Sequence, residues 1–224
     1  MPELVSGMMH NVLLILKRCG TRCAGALALS CAILATPGAS FAQSADQCQV
    51  TRTSGRVLVE RGDDRDRLTA GEMVQSGDRI ITRRRAQVTI RCTDEVAIVV
   101  GAQTRIGLDR LLRPEGDATS TSGIDVFRGI VGFLRPGGRR DGFVVRTPSA
   151  VAAVRSTEWT IEVDDNATAA FVRDGVVLVG FAENTVRLTP GDGVDVAADG
   201  SGGPVKQWGQ GRIDGQSERL GPDW

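Results

Sequence analysis

The fold class of this chain is decided by the segment Phe143-Val-Val-Arg-Thr-Pro-Ser-Ala-Val-Ala-Ala-Val-Arg-Ser-Thr-Glu-Trp-Thr-Ile-Glu-Val163. Its β-branched and aromatic residues form short runs, and Thr147-Pro148 interrupts them with a residue that cannot donate to a sheet ladder. A second apolar run, Ala170-Phe-Val-Arg-Asp-Gly-Val-Val-Leu-Val179, follows after a short polar interval. The pattern predicts consecutive strands joined by tight turns.

Similar short runs continue through most of the chain beyond residue 42, and no segment of about 10 to 12 residues there has a convincing 3.6-residue apolar period. We therefore predict an all-β domain. The predicted strands are Arg56–Glu60, Asp78–Thr82, Gln87–Arg91, Glu95–Val100, Thr104–Leu108, Gly142–Arg146, Trp159–Val163, Val176–Val179 and Thr185–Leu188.

An internal repeat supports this prediction. Gly55-Arg-Val-Leu-Val59 is followed by Leu68-Thr-Ala-Gly-Glu72, and Gly175-Val-Val-Leu-Val179 is followed by Leu188-Thr-Pro-Gly-Asp192 with the same spacing. Gly129-Ile-Val-Gly-Phe133 is a candidate third unit. Repeated short strands with glycine corners favour a solenoid-like or stacked β-roll domain, with a β-sandwich as the alternative.

The order of these elements resembles the signature of the FecR domain, a bacterial extracytoplasmic all-β module. The family pattern has an aromatic-led strand, Thr-Pro, small apolar residues, Val-Arg-Gly-Thr, an aromatic residue and a Gly-Val strand. Ser156 stands where the family usually carries Gly. The resemblance implies a β-rich, solenoid-like fold and a structural role for Thr147, Pro148, Val154, Arg155, Thr157, Trp159 and Gly175. For Arg155, contact with a partner is the alternative role.

FecR domains are best known from regulators that relay an outer-membrane receptor signal to a cytoplasmic sigma factor. Those regulators carry a helical anti-sigma segment and a membrane span before the FecR domain, whereas we expect only a leader here. The resemblance therefore implies an exported, non-enzymatic interaction module of the periplasm or envelope, with a role in signal sensing. The alternative is a membrane-anchored relay component related to sigma-factor regulators.

Residues 1–42 have the features of a signal peptide. Lys17, Arg18 and Arg22 precede an uncharged run, and Ser40 and Ala42 fit a cleavage site before residue 43. We predict a periplasmic or secreted protein, or an inner-membrane anchor if the leader is retained. The predicted domains are the leader, an N-terminal segment 43–54, a FecR-like β domain 55–197 and a loosely attached Gly/Gln-rich tail 198–224.

The remaining residue types exclude several functions. Beyond the leader the chain has 24 basic and 26 acidic residues and no basic stripe with interleaved aromatics, so we expect no nucleic-acid partner. The chain's single histidine, His10, lies in the leader, which excludes histidine-based catalysis and histidine zinc sites. We predict no catalytic residue, cofactor or metal. The expected partner is an envelope protein or a cell-wall glycan.

Two kinds of side chain carry a further prediction. Cys48 and Cys92 remain after the leader is removed, and an oxidising compartment favours a disulfide between them over two free thiols. The acidic clusters Asp63-Asp64-Arg65-Asp66 and Asp164-Asp165-Asn166 fall between strands and are typical of turns. The alternatives for these acids are a calcium site or the carboxylate pair of a carbohydrate-active enzyme.

Overall fold

The computed structural model describes residues 47–92, 96–109, 122–134 and 143–224. The predicted signal peptide lies outside the described residues. The described strands are β1 Gln47–Ser54, β2 Val57–Arg61, β3 Asp64–Arg67, β4 Met73–Gln75, β5 Arg79–Thr82, β6 Gln87–Cys92, β7 Ala97–Val100, β8 Arg105–Asp109, β9 Ser122–Leu134, β10 Phe143–Arg146, β11 Val151–Asp164, β12 Ala167–Phe181, β13 Asn184–Leu188, β14 Asp192–Val196 and β15 Lys206–Gln207. They are followed by one helix, α1 Gln210–Leu220.

The strands form two sheets that share three long strands. Sheet I has the order β3-β2-β5-β8-β9-β10-β11-β12-β13. Sheet II has the order β4-β1-β6-β7-β9-β11-β12-β14-β15. Strands β9, β11 and β12 each contribute one half to sheet I and the other half to sheet II. The prediction of an all-β fold is confirmed.

One hydrophobic core takes side chains from both sheets. Ile80, Ile124 and Val179 of sheet I belong to the same buried cluster as Ile90 and Ile161 of sheet II. The aromatic centre of this core is a stack of Trp159 on Phe133, whose ring centroids are 4.8 Å apart. Strands that bend from one sheet into the next are the usual way to close the corner of a two-sheet core.

The long strands bend where their backbone is irregular. Gly129 in β9 has φ 95° and Gly175 in β12 has φ 86°. The register between β11 and β12 shifts between Arg155 and Glu158, directly opposite Gly175. Such bulges sharpen the twist of a strand and redirect its side chains.

The internal repeat is present in the structure, with equivalent residues 120 positions apart. In both copies the leucine, Leu68 or Leu188, is fully buried at the end of the return strand. The following glycine has φ 94° at Gly71 and 89° at Gly191. Each glycine N–H donates to a carbonyl of an earlier strand, Gly71 to Val50 of β1 at 2.8 Å and Gly191 to Val172 of β12 at 2.9 Å.

An acid closes the turn in each copy of the repeat. The hydroxyl of Thr69 donates to Glu72 at 2.9 Å, and that of Thr189 donates to Asp192 at 2.6 Å. The hydrogen bonds from the side chain and the backbone of Thr189 lower the pKa of Asp192 below its ordinary value. A charged carboxylate therefore stabilises the corner.

Each of the nine predicted strands overlaps a described strand, but the prediction is incomplete. Strand β1 occupies residues that we placed in a separate N-terminal segment, and it pairs with β4 and β6 within sheet II. The predicted turn at Asp63–Asp66 is wrong in part, because the turn is at Gly62 and Asp63 and the next four residues form β3. The turn at Asp165 and Asn166 is confirmed, with φ of 45° and 64°.

The expectation of a loose C-terminal tail without a helix is wrong. Helix α1 spans 11 residues, and its Gln216 and Leu220 are buried. Its sequence has two apolar residues, Ile213 and Leu220, so packing against the sheet stabilises a helix that periodicity does not predict. Within the described ranges, no helix combines the length and the apolar character needed to cross a membrane.

The predicted disulfide is confirmed. Cys48 of β1 and Cys92 of β6 stand directly opposite each other in the sheet register, and their sulfur atoms are bonded. Both side chains belong to the hydrophobic core. The bond therefore fastens the first described strand of sheet II to its neighbour.

Replacing both cysteines by alanine is expected to lower the free energy of unfolding by about 4 kcal/mol, because the unfolded chain loses a cross-link that spans 44 residues. Urea denaturation followed by circular dichroism measures the change. Wild-type protein unfolded in reducing agent serves as the control and should show the same loss. Equal stability of oxidised wild type and double variant would contradict the prediction.

Gly129→Ala is expected to destabilise the domain more than Gly62→Ala. Both glycines have positive φ, so alanine costs about 1 kcal/mol or more at either position. A Cβ on Gly129 would also lie 2.5 Å from the Thr104 Cα, whereas a Cβ on Gly62 meets no atom within 4 Å. Overpacking adds about 1–3 kcal/mol to the first variant alone. Thermal unfolding of both proteins gives the comparison, and equal losses would refute the role of the close approach.

Candidate interaction surface

The outer face of sheet II is covered by the C-terminal segment, residues 208–224. Leu220 of α1 packs in a small buried cluster with Val99 and Ile130, which point away from the main core. The Trp224 ring lies over Gly132, where a Cβ would overlap the indole. This face therefore has no open apolar surface at its centre.

Polar contacts hold the C-terminal segment in place. The Thr160 hydroxyl donates to the side-chain oxygen of the buried Gln216 at 2.7 Å, and Arg219 pairs with Glu162. At the other end, Asp223 accepts hydrogen bonds from Thr89 at 2.6 Å and Arg52 at 2.7 Å. These bonds reach strands across the full width of the covered region.

A second anchor is formed by stacked rings. Trp208 stacks on Phe171 with centroids 5.2 Å apart, and the Arg212 guanidinium lies 3.5 Å from the centre of the Trp208 ring on the same stack. Arg212 also donates to Asp195 at 3.0 Å and is the main cause that lowers the pKa of that carboxyl. Cation–π contact and ion pair together fix the start of α1 on the sheet.

The outer face of sheet I, which we call the open face, has exposed apolar side chains where β10, β11 and β12 lie side by side. Val144, Ala153 and Leu178 are cross-strand neighbours in register and share this face. Leu178 is 44% exposed and Val151, on the adjacent row, is 46% exposed. The equivalent of Leu178 in the first copy of the repeat, Leu58, is only 5% exposed. The apolar side chains on this half of the open face are therefore exposed, whereas the equivalent leucine in the first copy of the repeat is buried.

Charged residues on the open face are paired with one another. Arg146 donates to Asp125 at 2.9 Å and also pairs with Asp109. At the far side of the face Arg65 donates to Glu60 at 2.8 Å, and this hydrogen bond is the main cause that lowers the pKa of Glu60. Surface pairs of this kind add little stability, but they lower the net charge around the apolar patch.

An exposed aromatic ring lies between the apolar and charged parts of the open face. Phe127 is 42% exposed, and its ring packs beside Gly107 of the neighbouring strand. The guanidinium of Arg79 lies 6.0 Å from the ring centroid. Aromatic residues with a free face are enriched at protein interfaces.

The predicted signature residues of the two long strands lie close to their bends. Val154 and Trp159 of β11 point into the core, and the Thr157 hydroxyl donates to the backbone oxygen of Val176 at 3.2 Å. Gly175 lies opposite the irregularity of β11. Arg155 forms part of β11, but its side chain is outside the described part of the chain, so both of its predicted roles stay predictions.

The signature pair Thr147-Pro148 forms the turn between β10 and β11. The Thr147 hydroxyl and N–H bind the backbone of Ala150, and the hydroxyls of Thr147 and Ser149 lie 2.8 Å and 2.7 Å from that of the buried Thr168. Pro148 is exposed in this turn. The turn of sheet I is thereby attached to the start of β12 in sheet II.

The acidic residues do not gather into a metal site within the described residues. An open groove of about 640 Å³ is lined by Glu162, Asp164, Asp195 and Arg212, among others. Two of these carboxylates are already engaged, Glu162 by Arg219 and Asp195 by Arg212. The basic cluster Arg83–Arg85 is exposed and includes a turn.

Sequence reasoning missed the exposed residues Phe127, Val151 and Leu178. All three belong to apolar strand runs, and strand patterns do not distinguish a covered face from a bare one. The repeat offered a partial signal, because it places Leu58 and Leu178 in equivalent positions of one sheet. It does not say which of the two is covered.

Comparison with known proteins agrees with the fold. The family model described as FecR protein matches residues 78–178. Two crystal structures of a candidate anti-sigma factor from Parabacteroides distasonis ATCC 8503, at 1.65 Å and 2.50 Å resolution, are similar to this chain, with TM-scores of 0.50 and 0.49 and identities of 19% and 21%. Each alignment covers 61% of this chain and 62% of the solved chain, less than two thirds of its length. No curated protein matches the sequence.

The matched residues run from the start of β5 to the second half of β12 and contain the whole predicted signature, from the Thr147 turn to the Gly175 bend. The similarity to the first solved structure concerns the fold, which is the all-β architecture described above. The recognition of this family from the sequence is confirmed, because residues 78–178 match its model.

Proposed function

We propose that this protein is an exported, non-enzymatic FecR-domain protein that acts as an interaction module of the cell envelope in a signal-relay pathway. The observation that carries the proposal is a difference between the outer faces of the two sheets. The chain covers the outer face of sheet II with its own C-terminal segment, while the apolar half of the open face stays exposed at Val151 and Leu178.

The open face has the composition of a protein-binding surface. Its apolar patch lies beside Arg146, which is satisfied by Asp109 and Asp125 on the same face. A partner can therefore remove the apolar residues from water without stripping an isolated charge. Contiguous exposed apolar residues with a polar rim are typical of interaction sites.

The signal-relay part of the proposal is supported by the family and the fold. The FecR domain is known from relay regulators, and a solved chain of similar fold is described as a candidate anti-sigma factor. The alignment covers only 62% of that chain, so a role in signal relay is a proposal for this protein. A membrane-anchored relay component is the alternative and differs only in the fate of the leader.

The proposal that the protein is not an enzyme is supported by the ion pairs and the positions of its acidic side chains. Two of the three carboxylates that line the groove beside β14, Glu162 and Asp195, are held by arginines, and hydrolysis of a glycosidic bond needs two acidic side chains facing each other, one as acid and one as base or nucleophile. The two acidic turns found in the sequence lie on separate hairpins, after β2 and after β11.

Leu178→Arg is expected to reduce capture of an envelope partner by about tenfold or more, because a buried guanidinium without a partner opposes docking. The purified protein is coupled to beads, incubated with envelope extract from the source bacterium, and the retained components are quantified by mass spectrometry. Met73→Arg is the matched control, since Met73 is 43% exposed but lies on β4, at the edge of sheet II.

The proposal predicts a component that binds wild type and Met73→Arg equally and is lost with Leu178→Arg. If that component is an outer-membrane receptor or signalling protein, the relay role is supported. Retention of cell-wall glycan alone would replace the relay role by envelope attachment. Equal capture by all three proteins would refute the open face as the interaction surface.

A further inference from the structure

The strand β13 forms one edge of sheet I and differs from the other sheet edges. Within the described strands it pairs only with β12. It has five residues, Asn-Thr-Val-Arg-Leu, and a single charge. At the opposite edge of the same sheet, all four residues of β3 are exposed and charged, and the edges β4 and β15 have three and two residues. Charge and shortness are the usual protections of a sheet edge. At five residues β13 is the longest of these four edges, and it has one charge where β3 has four.

We propose that β13 pairs with β13 of a second copy of this chain, so that two sheets I join into one continuous antiparallel sheet across a twofold axis. This dimer goes beyond the proposed function, because it uses the edge of sheet I and leaves its open face free for another partner.

The hairpin geometry determines which backbone groups are available on β13. Ala182 and Glu183 form a two-residue loop that is closed by the pair Phe181 and Asn184. Hydrogen-bonded and non-hydrogen-bonded pairs alternate from this closing pair onward. Asn184, Val186 and Leu188 therefore direct their N–H and C=O groups to β12. Thr185 and Arg187 direct theirs to the open edge.

One register uses the outward groups of both Thr185 and Arg187 in each copy and places no like charges directly opposite each other. Pairing about a twofold axis through Val186 sets Thr185 opposite Arg187 of the second copy, and the reverse, so that both pairs exchange two hydrogen bonds. A register centred on Arg187 would place two guanidinium groups face to face, which is destabilising. The register through Val186 avoids this contact.

The same register brings apolar and charged side chains together. Val186 packs against the main core from its edge, and it would lie beside Val186 of the second copy and extend that core. Glu183 of each copy falls on the diagonal next to Arg187 of the other, within reach of long side chains. The two Arg187 side chains share one diagonal. Arg187 takes part in none of the salt bridges of the described residues, so its guanidinium is available.

The test is the mass of the full exported chain in solution as a function of concentration, measured by sedimentation velocity. Wild type is expected to show a reversible monomer–dimer equilibrium. Arg187→Pro removes one outward N–H from each copy and leaves the ladder to β12 complete, so the dimer dissociation constant should rise about thirtyfold. Arg67→Pro is the matched control, because Arg67 is the equivalent residue on β3, 120 positions earlier, and should leave dimerisation unchanged.

A charge exchange keeps the test independent of proline. Arg187→Glu should weaken the dimer, because each new glutamate is then diagonal to two carboxylates of the second copy, at positions 183 and 187. The additional change Glu183→Arg should restore the dimer. Circular dichroism confirms that each variant is folded. A wild-type protein that stays monomeric at all concentrations would overturn the proposal. So would an Arg187→Pro variant that dimerises as wild type does, or an Arg67→Pro variant that does not.

Discussion

The two sheets of this protein depend on strands that belong to both. Backbone hydrogen bonds of β9, β11 and β12 hold sheet I along one half of each strand and sheet II along the other. The sheets cannot separate without breaking these ladders, and a single core lies between them. The bends in these three strands therefore connect the two sheets. At Gly129 the backbone has φ 95° and the neighbouring Thr104 leaves no room for a side chain, while in β11 a register shift serves the same end.

Patterns of neighbouring residues predict most of the strands, but they predict little of the C-terminal segment that covers sheet II. The nine predicted strands hold because β-branched runs and glycine turns specify strands from neighbouring residues alone. Strand β9 escaped prediction over most of its length because Gly123, Asp125 and Arg128 interrupt its apolar pattern, although partners on both sides complete its ladder. Helix α1 has almost no apolar period, and it forms where Leu220 and Gln216 find partners on sheet II. Contacts distant in sequence decide such elements.

The candidate surface illustrates the same limit more sharply. Leu58 and Leu178 occupy equivalent positions in two copies of one motif, Val-Leu-Val, and each stands opposite an arginine of its return strand. One is buried and the other is nearly half exposed. Because the motif is the same in both copies, residues outside it decide how exposed each leucine is. The FecR signature could be placed because it depends on the order of residues along the chain, and the disulfide was expected from the two cysteines that follow the predicted leader. No sequence pattern marks the exposed patch.

The two copies of the repeat also show where the fold leaves freedom. Their core positions carry the same residues, with Val57, Val59, Leu68 and Val74 matched by Val177, Val179, Leu188 and Val194. The differences lie at the sheet edges, where Arg65 and Asp66 of the first copy correspond to Thr185 and Val186 of the second. Because both edge strands close the same kind of hairpin, the core does not require this divergence. It makes one end of sheet I charged and closed to further strands, and leaves the other end able to accept one.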